Sequence, residues 1–151
     1  MANDKQFEND YIDFIKLLNK YDVKYLVIGA YAVMYHTKIA RETKEIDFWI
    51  EKSSKNAERC AKAIKEFAGG IRINPEDLLG QKEIFFIGVE PHRIDIFNNQ
   101  GKMAFNEAYK NKVDAMFRDV KTYFVAKTDL LALKRYFYRK ADVKDLKRLS
   151  K

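Results

Sequence analysis

The sequence predicts one α/β domain (α+β in layout) over residues 1–151, a mixed, partly antiparallel sheet flanked by helices and closed by C-terminal helices. Three observations carry that expectation. A β-branched and aromatic run, Lys24 to Ile28, ends at Gly29 and is followed by helix-dense Tyr31 to Tyr35, the pattern of a buried strand turning sharply into a helix. Two pairs of short strand-like runs, Glu83–Val89 with Arg93–Phe97 and Val113–Arg118 with Val120–Val125, are each joined by a short turn, as antiparallel hairpins are. Amphipathic stretches of helical period fill most of the remainder.

In chain order, Phe7 to Lys20 sets Tyr11, Ile12, Phe14, Ile15 and Leu18 at spacings of three and four, a helix with one apolar face. Tyr21-Asp22 ends it and the Lys24–Ile28 strand follows. The short Tyr31–Tyr35 helix leads, past His36, into a polar segment that carries Lys38, Arg41 and Lys44. Glu45 to Ile50 is the second strand. Ser53 or Ser54 caps a helix running to about Phe67, with Ala57, Cys60, Ala61, Ile64 and Phe67 as its buried stripe and Gly69-Gly70 as its stop. Pro75 to Leu79 is one helical turn begun by proline. After the first hairpin comes a loop, Asn98 to Gly101, and a short helix, Ala104 to Lys110. Thr128 to Tyr138 and Asp142 to Leu149 are the closing helices, with Asp142 and Asp145 expected to favour the N-terminus of the last one.

Composition narrows the function classes. With 47% apolar and 14% aromatic residues the chain has material for a core, and no apolar run approaches the roughly 20 residues of a membrane span. The opening MANDKQFEND is polar and acidic, unlike a signal peptide, and the single cysteine excludes an internal disulfide framework; both suit a reducing, cytoplasmic setting with no membrane partner. The net charge is +7, and its placement is uneven. Residues 1–120 carry 19 basic and 19 acidic residues, whereas residues 121–151 carry 10 basic and 3 acidic. A basic end suits a polyanionic partner.

The chemistry concentrates between Lys24 and Glu51. Side chains alternate along a strand, so Glu45 and Asp47 share one face while Ile46, Phe48 and Ile50 take the other. Two carboxylates side by side repel each other and call for a cation, either basic side chains or a metal ion, unless the strand lies at a sheet edge with that face in water. Asp95 stands between Ile94 and Ile96 on a core strand, where an acid is costly unless it is ion-paired, for instance with Arg93, or bound to metal. The helix N-terminus after Gly29 favours phosphate. Lys134 falls within the apolar arc of its helix, so it either snorkels or ends in an acidic or phosphate site.

This arrangement of strand, glycine turn, helix, basic loop and acidic strand resembles the nucleotidyltransferase superfamily of polymerase-beta-like fold, in particular its small bacterial abortive-infection and minimal-nucleotidyltransferase members. The matching residues are Ile28-Gly29-Ala30, Arg41-Glu42-Thr43, Glu45-Ile46-Asp47 and Ile94-Asp95-Ile96, with Lys134, Arg139, Asp142 and Asp145 in the C-terminal segment. Ala30 stands where the family has a second Gly or Ser, and Glu45 where Asp is more usual. The resemblance implies transfer of a nucleoside monophosphate from a nucleoside triphosphate, ATP among the candidates, to an RNA (tRNA included), protein or small-molecule acceptor. It further implies Glu45, Asp47 and Asp95 as catalytic residues holding one or two Mg²⁺ or Mn²⁺ ions, about 3.5–4 Å apart in a two-metal site. Gly29, Ala30, Arg41, Thr43 and Lys134 are the implied phosphate and nucleotide contacts. The alternative reading is a catalytically degenerate binding module, either the antitoxin or regulatory partner in a toxin–antitoxin pair or a nucleic-acid binder; Glu45 and Ala30 point that way. Oligomeric state is not written in the sequence.

Overall fold

The computed structural model describes residues 2–82 and 84–151, and for residues 2–8 the backbone alone. Thus Glu83, the expected start of the first hairpin, lies outside the described residues. The chain runs α1 (Ala2–Lys20), β1 (Tyr25–Ile28), α2 (Gly29–Thr37), β2 (Glu45–Ile50), α3 (Ser54–Phe67), a 3₁₀ turn (Pro75–Leu78), β3 (Ile84–Ile87), β4 (Arg93–Phe97), α4 (Phe105–Lys110), β5 (Val113–Phe117), β6 (Val120–Phe124), α5 (Lys127–Phe137) and α6 (Lys140–Leu149). No described helix is long and apolar enough to cross a membrane.

Six strands form one mixed sheet in the order β3-β4-β2-β1-β6-β5. Both expected hairpins, β3–β4 and β5–β6, are antiparallel, as is β1–β2. The joins β2–β4 and β1–β6 are parallel, each bridged by a crossover through helices. β1 is short and buried at all four positions, which suits a strand covered on both faces. One face carries Tyr25, Val27, Phe48 and Ile50 and packs on α1 and α3, where Phe14 meets Phe48 and Phe67 edge-on at 5.4 and 5.2 Å. On the opposite face Trp49 packs against Phe105 of α4 at 5.2 Å. Cys60 is fully buried within α3, as its place in the apolar stripe implies, and Ser53 caps that helix by accepting from the Asn56 amide.

Two boundaries differ from expectation in ways that bear on the site. Helix α2 begins at Gly29 itself, two residues early, because Gly29 adopts φ +68° and lets the strand pass straight into the helix. His36 therefore lies in the last turn of α2, where its Nε2 bonds the Val125 carbonyl at 2.7 Å and ties the helix to the end of β6. Helix α6 begins at Lys140 because Arg139 takes the N-cap position and its amide donates to the Asp142 carboxylate at 2.9 Å.

Candidate active site

Parallel pairing of β2 with β4 sets Asp47 directly opposite Asp95 and Glu45 opposite Arg93, all four on one sheet face. Glu45, Asp47 and Asp95 each present a carboxylate oxygen within 4.8 Å of the other two. Together with Arg93 they floor a cleft of about 420 Å³, walled by Leu130, Leu133, Lys134 and Phe137 of α5 and lined also by Phe86 and Arg139.

The site is built around Gly29. A methyl group at this position would run into the Asp47 carboxylate at Oδ2, so the turn is held against the acid by the absence of a side chain. Asp47 Oδ1 is buried and accepts no hydrogen bond. Burial first, then the charges of Asp95 and Glu45, push the Asp47 carboxyl up to about 7. Burial and the Asp95 charge likewise raise Glu45. A buried carboxylate oxygen without a donor, within reach of two more carboxylates, is the chemistry of a hard divalent cation with all-oxygen ligands, and Mg²⁺ or Mn²⁺ fits that donor set.

Two cations already serve the acids. Arg93 engages both oxygens of Asp95, Nε to Oδ1 at 2.6 Å and Nη2 to Oδ2 at 2.9 Å, while its guanidinium lies 4.2 Å from the centre of the Phe86 ring. Asp95 thus belongs to the acidic cluster and is ion-paired with Arg93, the partner that its sequence neighbourhood offered. Lys134 lines the cleft, and its Nζ is held by Asp142 at 3.2 Å and Asp145 at 3.0 Å.

Arg41 and Thr43 do not line the cleft. The Arg41 guanidinium grips Asp145, Nε to Oδ1 at 2.7 Å and Nη2 to Oδ2 at 3.2 Å, across 104 residues of sequence. The Thr43 hydroxyl donates to the Glu45 carbonyl at 2.9 Å and so fixes the start of β2. Ala30 is buried in the first turn of α2, and Gly29 lines the cleft in front of the helix. Asp142 and Asp145 do more than favour a helix terminus. Both are buried, and Asp145 collects Arg41, Lys134 and Arg148 at 2.7, 3.0 and 2.7 Å. Burial alone would raise both carboxyls, but Arg139 and Lys134 at Asp142, and Lys134 and Arg41 at Asp145, outweigh it and hold both below the usual range.

A family profile described as "Nucleotidyltransferase of unknown function (DUF6036)" matches residues 9–150. The chain belongs to this DUF6036 nucleotidyltransferase family. Among solved structures, the DUF6036 chain is similar in fold to the lincosamide antibiotic adenylyltransferase LnuA in its lincomycin-bound crystal form, with a TM-score of 0.63 over 94% of this chain and 95% of that one, at 16% identity. No curated protein sequence matches it. The nucleotidyltransferase fold expected from the motifs is thus the observed one.

Several cleft residues of this DUF6036 chain went unassigned at the level of sequence. Arg93, read from the sequence only as a partner for Asp95, and Phe97 alternate with Asp95 on β4 and share its cleft face, a signal readable from period-two spacing once Asp95 is placed. Phe86 and Phe137 look like ordinary core aromatics in the sequence, and only the fold shows their edges at the cleft.

Proposed function

We propose that this chain is a divalent-cation-dependent nucleotidyltransferase that moves a nucleoside monophosphate from a nucleoside triphosphate to an acceptor hydroxyl. The observation that carries the reading is the convergence of Glu45, Asp47 and Asp95 beneath the Gly29 turn, with Asp47 Oδ1 buried and undonated. Glu45, Asp47 and Asp95 would hold Mg²⁺ or Mn²⁺, which would supply positive charge to the triphosphate oxygens.

The chain's own residues account for the rest. The first-turn amides of α2 start at Gly29 and have no capping side chain, so they are free to donate to phosphate oxygens. Lys134, fixed by Asp142 and Asp145, and Arg93, fixed by Asp95 and Phe86, place two cations on the cleft wall and floor without freedom to wander. Asp95 accepts the proton of the acceptor hydroxyl as its oxygen bonds to the α-phosphorus and pyrophosphate leaves. The apolar wall of Leu130, Leu133 and Phe137 excludes water from the reacting groups.

One observation favours the second reading, a degenerate binding module: both oxygens of Asp95 are engaged by Arg93. The two readings part on a single assay. Incubating the protein with each α-labelled nucleoside triphosphate, Mg²⁺ or Mn²⁺, and total cell RNA or lysate should transfer label, and Asp47→Asn should abolish the transfer. No transfer from any nucleotide would award the case to the module.

A further inference from the structure

On α6 the two acids point inward and the three lysines outward. On α6, Asp142, Asp145 and Leu149 form the buried stripe, while Lys140, Lys144 and Lys147 form an exposed one at spacings of four and three. These three lysines span about 10 Å along the helix. None has an acidic partner among the described residues. The helices packed against α6 are α5 and α2; α2 carries no acid, and the single acid of α5, Asp129, sits in its first turn beside Asn111.

The stripe also starts at the cleft. Arg139, with its side chain 69% exposed, lines the cleft and immediately precedes Lys140. Beside it, Tyr136 and Tyr138 are 51% and 64% exposed at the end of α5, flanking the cleft residue Phe137. Tyr136 lies over Gly101, a position at which any side chain would strike its ring. Exposed tyrosines next to a run of unneutralised cations match the two needs of an unpaired polynucleotide, stacking for bases and charge for phosphates.

We propose that α6 and the Tyr136–Arg139 corner bind single-stranded nucleic acid, with the phosphate backbone laid along Lys140, Lys144 and Lys147 and its end entering the cleft. This surface is a binding claim in its own right. That the bound strand is the acceptor rests on the transferase reading above.

The test is fluorescence anisotropy with a labelled single-stranded RNA of about 15 nucleotides, the same sequence as DNA, and the RNA duplex. The single strands are expected to bind more tightly than the duplex. With three or four phosphates engaged, log K should fall against log salt with a slope of about −2 to −3. Lys144→Glu with Lys147→Glu, both exposed and outside the cleft, should weaken RNA binding at least tenfold while ATP binding, read by calorimetry, stays unchanged. Tyr138 has φ +48°, which asparagine tolerates, so Tyr138→Asn should keep the fold and weaken single-strand binding about fivefold or more. Preference for duplex, or single-strand affinity untouched by the double charge reversal, overturns the proposal. Label transferred only to protein in lysate, with no RNA bound, overturns it while leaving the transferase intact. RNA bound through the stripe without any transfer supports the surface and sinks the transferase reading alone.

Discussion

Replacing Asp47 by asparagine should make the metal-free protein more stable at pH 8. The carboxylate is buried beside two others with one oxygen undonated, and its pKa rises from 3.8 to about 7 in the fold. The folded state therefore holds a proton between those two values that the unfolded chain releases. The contribution of Asp47 to stability is greatest below pH 4, falls as the pH climbs toward about 7, and stays flat above. Three pH units at roughly 1.4 kcal/mol each set a ceiling near 4 kcal/mol, and partial solvent access reduces the expected gain to about 1–2 kcal/mol. For a chain of this size that is an increase of roughly 2–8 °C in Tm. The assay is thermal unfolding of wild type and Asp47→Asn in chelator at pH 5 and pH 8. Because other groups titrate equally in both proteins, the difference between them isolates Asp47. Millimolar Mn²⁺ should then stabilise wild type and leave the variant unchanged. A variant destabilised by the same amount at both pH values would refute the argument.

Three further outcomes follow from the site. Gly29→Ala forces a side chain onto Asp47 at φ +68° and should cost about 2–3 kcal/mol in urea unfolding, with loss of Mn²⁺ binding; an unchanged midpoint would mean that the turn is looser than described. Asp145→Asn leaves Arg41 and Lys134 without their shared counter-ion and should cost roughly 2–4 kcal/mol, more than Asp142→Asn, whose Arg139 partner is largely exposed; equal urea midpoints for the two variants would contradict this ranking. Arg93→Met removes the cation on Asp95 and should tighten Mn²⁺ binding while weakening triphosphate binding, opposite signs that calorimetry can read in one preparation.

Local order was well marked in the residues. Period-two spacing placed Glu45 and Asp47 on one face, period 3.6 placed Cys60 in the core, and the Gly29 turn announced the joint between β1 and α2. The neighbours across the sheet were not marked. β2 and β4 are 43 residues or more apart and pair in parallel through a crossover, so the meeting of Asp47 with Asp95 depends on strand order, which no local pattern encodes. Arg41 illustrates the same limit. Its sequence neighbourhood suits a phosphate contact, yet its partner is Asp145, 104 positions away, and long-range charge pairing is decided by packing. Asp142 and Asp145 were legible as helix residues and not as an ionic hub, because a carboxylate at a helix start looks alike whether it faces water or a set of cations gathered by packing.

In the proposed mechanism Glu45, Asp47 and Asp95 form a cation-dependent nucleotide site. Titrating ATP and the other nucleoside triphosphates into the protein by calorimetry, in Mg²⁺ and again in chelator, addresses it directly. Three carboxylates repel a triphosphate until a cation reverses the sign of the site. Binding should therefore appear with Mg²⁺, vanish in chelator, and fail in Asp47→Asn under both conditions. Equal affinity with and without the cation, unaffected by Asp47→Asn, would place the nucleotide elsewhere on this basic chain and contradict the claim.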